Sequence, residues 1–107
     1  MTQAQANQNI PVQIAAARVS AAGAFLSNDG GFISVSNPAT GEYALILAQA
    51  ADPLRVHVSV AIQGSGDDIT WDTIVAFVGE PLRTLIISFV AGGMDANATF
   101  SVVLTSF

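Results

Sequence analysis

The chain has 107 residues, room for one hydrophobic core but not two, so a single domain is expected, with no second catalytic or regulatory one. Hydrophobic residues make up 51 % and charged residues only 10 %, against about 25 % charged in an ordinary soluble domain, and a surface so poor in charge calls for burial against other subunits. Lysine is absent, Arg18, Arg55 and Arg83 are the only strong cations, and a net charge of −5 excludes the basic patch that nucleic acid or an anionic membrane would need.

Residues 1–10 are polar, rich in Gln, Asn and Ala, and lack the basic and apolar regions of a secretory signal. They read as a flexible arm, with a single domain expected over 11–107. No apolar run approaches the roughly 18–20 residues of a membrane span, so no membrane insertion is expected. Without cysteine there is neither a disulfide nor a Cys-based zinc site.

From Pro11 onward, short apolar alternations separated by turn residues predict strand after strand. Val12, Ile14 and Ala16 open the first, which runs to Val19, and residues 22–26 form a short continuation. Alanine is a strong helix former, so 15–25 has a helical alternative, but Val19, Ser20 and Gly23 leave no 3.6-residue stripe. Asn28, Asp29 and Gly30 mark a turn at 27–31, a strand follows over 32–36, and Asn37, Pro38 and Gly41 turn the chain again.

Residues 42–48 are apolar on both faces, as expected of a strand covered by a second sheet on one side and a neighbouring subunit on the other. The cleanest alternation lies at 55–63, where Val56, Val58, Val60 and Ile62 oppose Arg55, His57, Ser59, Ala61 and Gln63. A loop containing Asp67 and Asp68 leads to 69–78, with Trp71, Thr73, Val75 and Phe77 on one face. Leu85, Ile87 and Phe89 share a face of 83–91, a loop at 92–97 holds Asp95 and Asn97, and 99–107 is the last strand. The fold class is therefore all-β, an antiparallel, jelly-roll-like β-sandwich of about eight strands.

Chemistry is thinly represented. His57 is the sole histidine, and Ser65 between two glycines lacks the strand-to-helix context of a nucleophile elbow, so no catalytic residue is assigned and the chain is expected not to be an enzyme. Asp67, Asp68 and Asp72 do not follow a calcium-loop spacing, and with no second His or Cys no metal and no other cofactor is expected. Trp71 and Tyr43 could stack on a sugar, which gives the alternative of a carbohydrate-binding module with exposed aromatics. Both also keep step with core residues along their strands.

Taken together, residues 17–23 (ARVSAAG), 41–47 (GEYALIL) and 92–104 (GGMDANATFSVVL) resemble the small β-sandwich heads of phage tail fibres and bacterial collagen-like proteins, similar to C1q and tumour-necrosis-factor heads. The resemblance covers most of 15–107 and implies a homotrimer, with Tyr43, Leu45, Leu47, Phe100, Val102 and Leu104 in the core or at the oligomer interface. It also implies an extracellular, virion or cell-surface structural protein with an adhesive role and a glycan or surface receptor as partner. Binding is then expected of the loops carrying Asn28, Asp29, Asp67, Asp68, Asp95 and Asn97.

Overall fold

The computed structural model describes residues 12–63, 71–79 and 81–107, so the N-terminal arm and the turn holding Asp67 and Asp68 lie outside the described residues. Nine strands are present among them: β1 (Val12–Val19), β2 (Phe25–Asn28), β3 (Phe32–Ala39), β4 (Glu42–Ala51), β5 (Val56–Ile62), β6 (Trp71–Val78), β7 (Leu82–Ala91), β8 (Met94–Asp95) and β9 (Phe100–Ser106). They form two antiparallel sheets, one ordered β2-β1-β9-β5 and the other β3-β4-β7-β6, with β8 folded back onto β7. This is the expected all-β sandwich.

Alternation builds the core, although on β1 the register shift between Gln13 and Ala15 changes its phase, so the expected set Val12, Ile14 and Ala16 is not the buried one. Ala15, Ala17 and Val19 of β1 and Phe100, Val102 and Leu104 of β9 face inward from the first sheet. Tyr43, Leu45 and Leu47 of β4 meet them with Leu82, Leu85, Ile87 and Phe89 of β7 from the second. Apart from Tyr43 with its hydroxyl, no side chain bearing a polar group is buried among the described residues. Three rings tie the sheets together at one end: Tyr43 and Phe100 have centroids 4.9 Å apart, Phe89 and Phe100 4.9 Å, and Tyr43 and Phe89 5.7 Å. Such tilted and edge-on contacts each add about 0.5–1.5 kcal/mol beyond simple burial.

Several boundaries move for identifiable reasons. β2 continues to Asn28, because Ser27 and Asn28 pair with Arg18 and Ala17, and the turn narrows to 29–31. β3 runs on to Ala39 past Pro38, which a strand edge tolerates since no ladder partner needs its missing N–H. The expected loop at 92–97 contains β8, so Asp95 is paired with Val90 in a strand.

The alanines at 15–17 are not helical. A Cβ added to Gly31 would lie 2.5 Å from both Cα and Cβ of Ala15, so the β2–β3 turn crosses the first sheet where only small residues fit. Gly41 is constrained in a second way. Its φ is +78°, and a side chain there would meet the Phe89 carbonyl oxygen at 2.7 Å.

The Tyr43 hydroxyl donates to the Ala21 carbonyl at 2.7 Å and accepts from the Ala98 N–H at 3.0 Å. Removing the hydroxyl leaves that buried N–H without a partner. Tyr43→Phe is therefore expected to lower stability by about 1–3 kcal/mol, measured as a lower urea midpoint at unchanged slope.

Candidate functional site

The six residues Tyr43, Leu45, Leu47, Phe100, Val102 and Leu104 all lie in the intramolecular core, with at most 1 % of their surface exposed. Each strand alternates, so the faces that point away from the core belong to other residues. On β4 these are Ala44, Ile46 and Ala48, half-buried and facing outward. Cross-strand pairing sets Ile86 of β7 and Ala76 of β6 in line with Ala44, and Thr84 and Val78 in line with Ile46. With Ile74 and Val90, the second sheet presents an outer face in which Ala, Ile and Val are interspersed with Thr84 and Ser88 of β7 and Ser34 and Ser36 of β3, and whose charged members, Glu42 and Asp72, sit towards one end.

The end of the sandwich near the aromatic trio carries an open groove of about 420 Å³, lined by Ala21, Ile62, Gln63, Trp71, Asn97, Ala98 and Thr99. Trp71 is half-buried, its ring edge-on to Phe89 with centroids 6.5 Å apart. Gln63 accepts a hydrogen bond from the Arg18 guanidinium. The Asn97 carboxamide oxygen accepts from the Gly41 N–H at 2.6 Å and from the Asn37 amide at 3.3 Å, which commits it to holding the β3–β4 turn.

These facts correct the pairing of Tyr43 with Trp71 as exposed stacking residues. Tyr43 is fully buried, its hydroxyl engaged by backbone on two sides, and burial pushes its phenol above the ordinary value despite the Ala98 hydrogen bond. Trp71 alone keeps an accessible edge.

The expected binding loops are not gathered in one place. Asn97 stands at the grooved end, whereas Asn28 and Asp29 lie beside the middle of β1, where the Asp29 N–H donates to the Ala16 carbonyl. Their side chains fold the turn onto itself: the Asn28 amide donates to the Phe32 carbonyl at 2.7 Å, its oxygen accepts from the Gly30 N–H, and Asp29 accepts from the Gly31 N–H at 2.8 Å. Gln13, Ile62, Gln63 and Thr99 also take part in these arrangements, and no motif in the sequence marks them. Only three-dimensional packing brings them there.

His57 stands exposed on the outer face of β5, opposite Thr105, with Arg55, Ser59 and Ala61 on the same side. Among the described residues no group of three His, Asp or Glu could hold a metal, and no helix is long and apolar enough to cross a membrane. No known family, curated protein or solved structure matches the chain.

Partial desolvation raises the Asp29 pKa, but hydrogen bonds from the surrounding backbone and the Gln13 amide outweigh it and hold the carboxyl below the ordinary carboxylate range. A depressed folded pKa contributes stability above the unfolded value and loses it as pH falls through the folded one. Asp29→Asn is accordingly expected to lower stability at neutral and alkaline pH, where the carboxylate accepts these bonds, and to flatten the acid limb so that the two proteins converge at low pH, as followed by thermal melts across pH.

Proposed function

We propose that this chain is a non-enzymatic structural or adhesive head that self-associates into a homo-oligomer within a fibre, virion or cell-surface assembly. The observation that carries the reading is the outer face of the second sheet, where Ala44, Ile46, Ile74, Ala76, Val78, Ile86 and Val90 form an apolar surface on the side away from the core. A face so rich in apolar residues, broken by Thr84, Ser88 and the acids at one end, suits an association surface on a small domain. The scarcity of charge over the whole sequence points the same way.

A three-fold arrangement is what the resemblance to C1q-like and tail-fibre heads implies, and the function then lies in the assembled surface and its loops. Catalysis has little support, since His57 faces outward among Arg55, Ser59 and Ala61. Light scattering at micromolar concentration is expected to give a multiple of 11.0 kDa, with three copies for the trimer. A monomer under those conditions would sink the proposal.

A carbohydrate-binding role is the second reading, favoured by the grooved end alone. There the accessible edge of Trp71 stands beside Gln63, Asn97 and Thr99, an aromatic with amide and hydroxyl groups as sugar recognition uses. Titration with a panel of oligosaccharides should shift the emission of Trp71, the sole tryptophan. Emission that no glycan moves would remove this reading.

A further inference from the structure

We infer that a second copy of this chain docks on the flank formed by the edges of β5 and β6, flank against flank about a two-fold axis, so that each sheet continues into its neighbour. The inference rests on the self-association proposed above and adds to the outer sheet face a second contact, at the flank.

A sandwich has two flanks, and this one treats them differently. β2 and β3 end the sheets on one side. β2 is only four residues long, while β3 carries Pro38 and two register breaks, between Phe32 and Ser34 and between Ser36 and Ala39. Shortness, proline and bulges are the devices that keep a strand edge from recruiting another strand. The β2–β3 turn further covers that flank by crossing over Ala15.

The opposite flank has none of these devices. β5 spans seven residues and β6 eight, without proline, and each follows its inner neighbour with no break in register. Within these strands Asp72 is the sole carboxylate, and there is no Lys or Arg. Among the described residues nothing pairs with the outer edge of either strand.

The side chains agree with the backbone. Val75 and Phe77 point into the sandwich, opposite Ile87 and Leu85 of β7, yet remain 36 % and 40 % exposed. Ile74 and Val78 on the other face are 58 % and 50 % exposed. Inward-facing Val56, Val58, Val60 and Ile62 of β5 are also only half-buried. Counting half-buried Trp71, β6 thus carries five large apolar residues and buries none of them fully, which a lone subunit gains nothing by displaying.

Geometry favours a copy of the same chain over another occupant. Ile62 at the end of β5 and Trp71 at the start of β6 share the end groove, so the two edge strands run in opposite directions. Turning the flank onto itself by a two-fold rotation therefore brings antiparallel edges of matching length together, whether β5 meets β6 or each strand meets its own copy. At about 3.3 Å per residue and a sandwich roughly 20 Å thick with its side chains, the flank buries on the order of 1,000 Å² over both copies, the threshold of a specific contact. The near absence of charge leaves no handle for a strongly acidic or basic partner. A two-fold contact yields dimers, or hexamers where a three-fold contact also holds.

The test combines light scattering with amide hydrogen exchange on the full chain. Val75→Lys and Phe77→Lys place a charge on the flank at positions partly exposed in the single subunit and away from the outer sheet face, and Ile33→Lys places one on the protected edge strand β3 as control. Both flank variants, with native circular dichroism, are expected to weaken association by about thirtyfold or more, and the control to leave it unchanged. In the wild type, β5 and β6 amides should lose protection on dilution. A wild-type oligomer whose mass and exchange ignore the flank variants overturns the flank while self-association stands; a wild-type monomer overturns both. Flank protection that is independent of concentration and vanishes when residues 1–10 are removed would assign the flank to the chain's own arm, and overturn the proposal as well.

Discussion

The hydroxyl of Tyr43 is the point on which this sandwich is hung. One buried oxygen joins the Ala21 carbonyl, just beyond β1, to the Ala98 N–H, just before β9, while its ring packs between Phe89 and Phe100. Both sheets and two of the connections between them converge on that side chain. Gly41 two residues earlier must be glycine to pass the Phe89 carbonyl, and Asn97 spends its carboxamide on the same turn. The end groove beside Trp71 inherits its floor from this arrangement, since Ala21, Asn97 and Ala98 line it because Tyr43 and Gly41 hold them there.

Anchoring one end leaves an asymmetry elsewhere. At the β2–β3 side the chain crosses between sheets in a tight turn, with Gly31 pressed on Ala15, and that crossing closes the flank. At the β5–β6 side the described strands end the sheets with neither bulge nor proline, and inward residues such as Phe77 stay partly open. The core is accordingly deepest under β4, β7 and β9 and fades towards β5 and β6. What is rigid and what is available for contact are set by the same topology.

Period-two alternation made most of the fold legible. Val56, Val58, Val60 and Ile62, and Leu85, Ile87 and Phe89, face the core in the phase their sequence predicts, because a strand has one apolar face to bury. Alternation identifies a face without saying how well it is covered. Thus Phe77 and Leu85 read alike in sequence, although one lies on an edge strand and the other in the middle of a sheet. Tyr43 misleads for a related reason: a tyrosine suits a sugar platform or a core equally well until its hydroxyl finds two backbone partners. The groove at Gln63, Trp71, Asn97 and Thr99 joins residues far apart in the chain, and no local pattern marks that meeting.

The shortage of charge then acquires a structural meaning. Charged side chains on a small sandwich serve partly to solvate exposed sheet faces and partly to repel strands from open edges. Here the outer face of the second sheet is built mainly of Ala, Ile and Val with a few Ser and Thr, and the edges of β5 and β6 hold Asp72 as their one carboxylate and no Lys or Arg. Both duties are left undone on adjoining surfaces, and β6 belongs to both. A sequence constrained only to fold and stay dispersed would tolerate charge at Ile74 or Val78, which the core does not need. Ile74 and Val78 are apolar all the same, and at 58 % and 50 % exposed only contact with another surface would bury them.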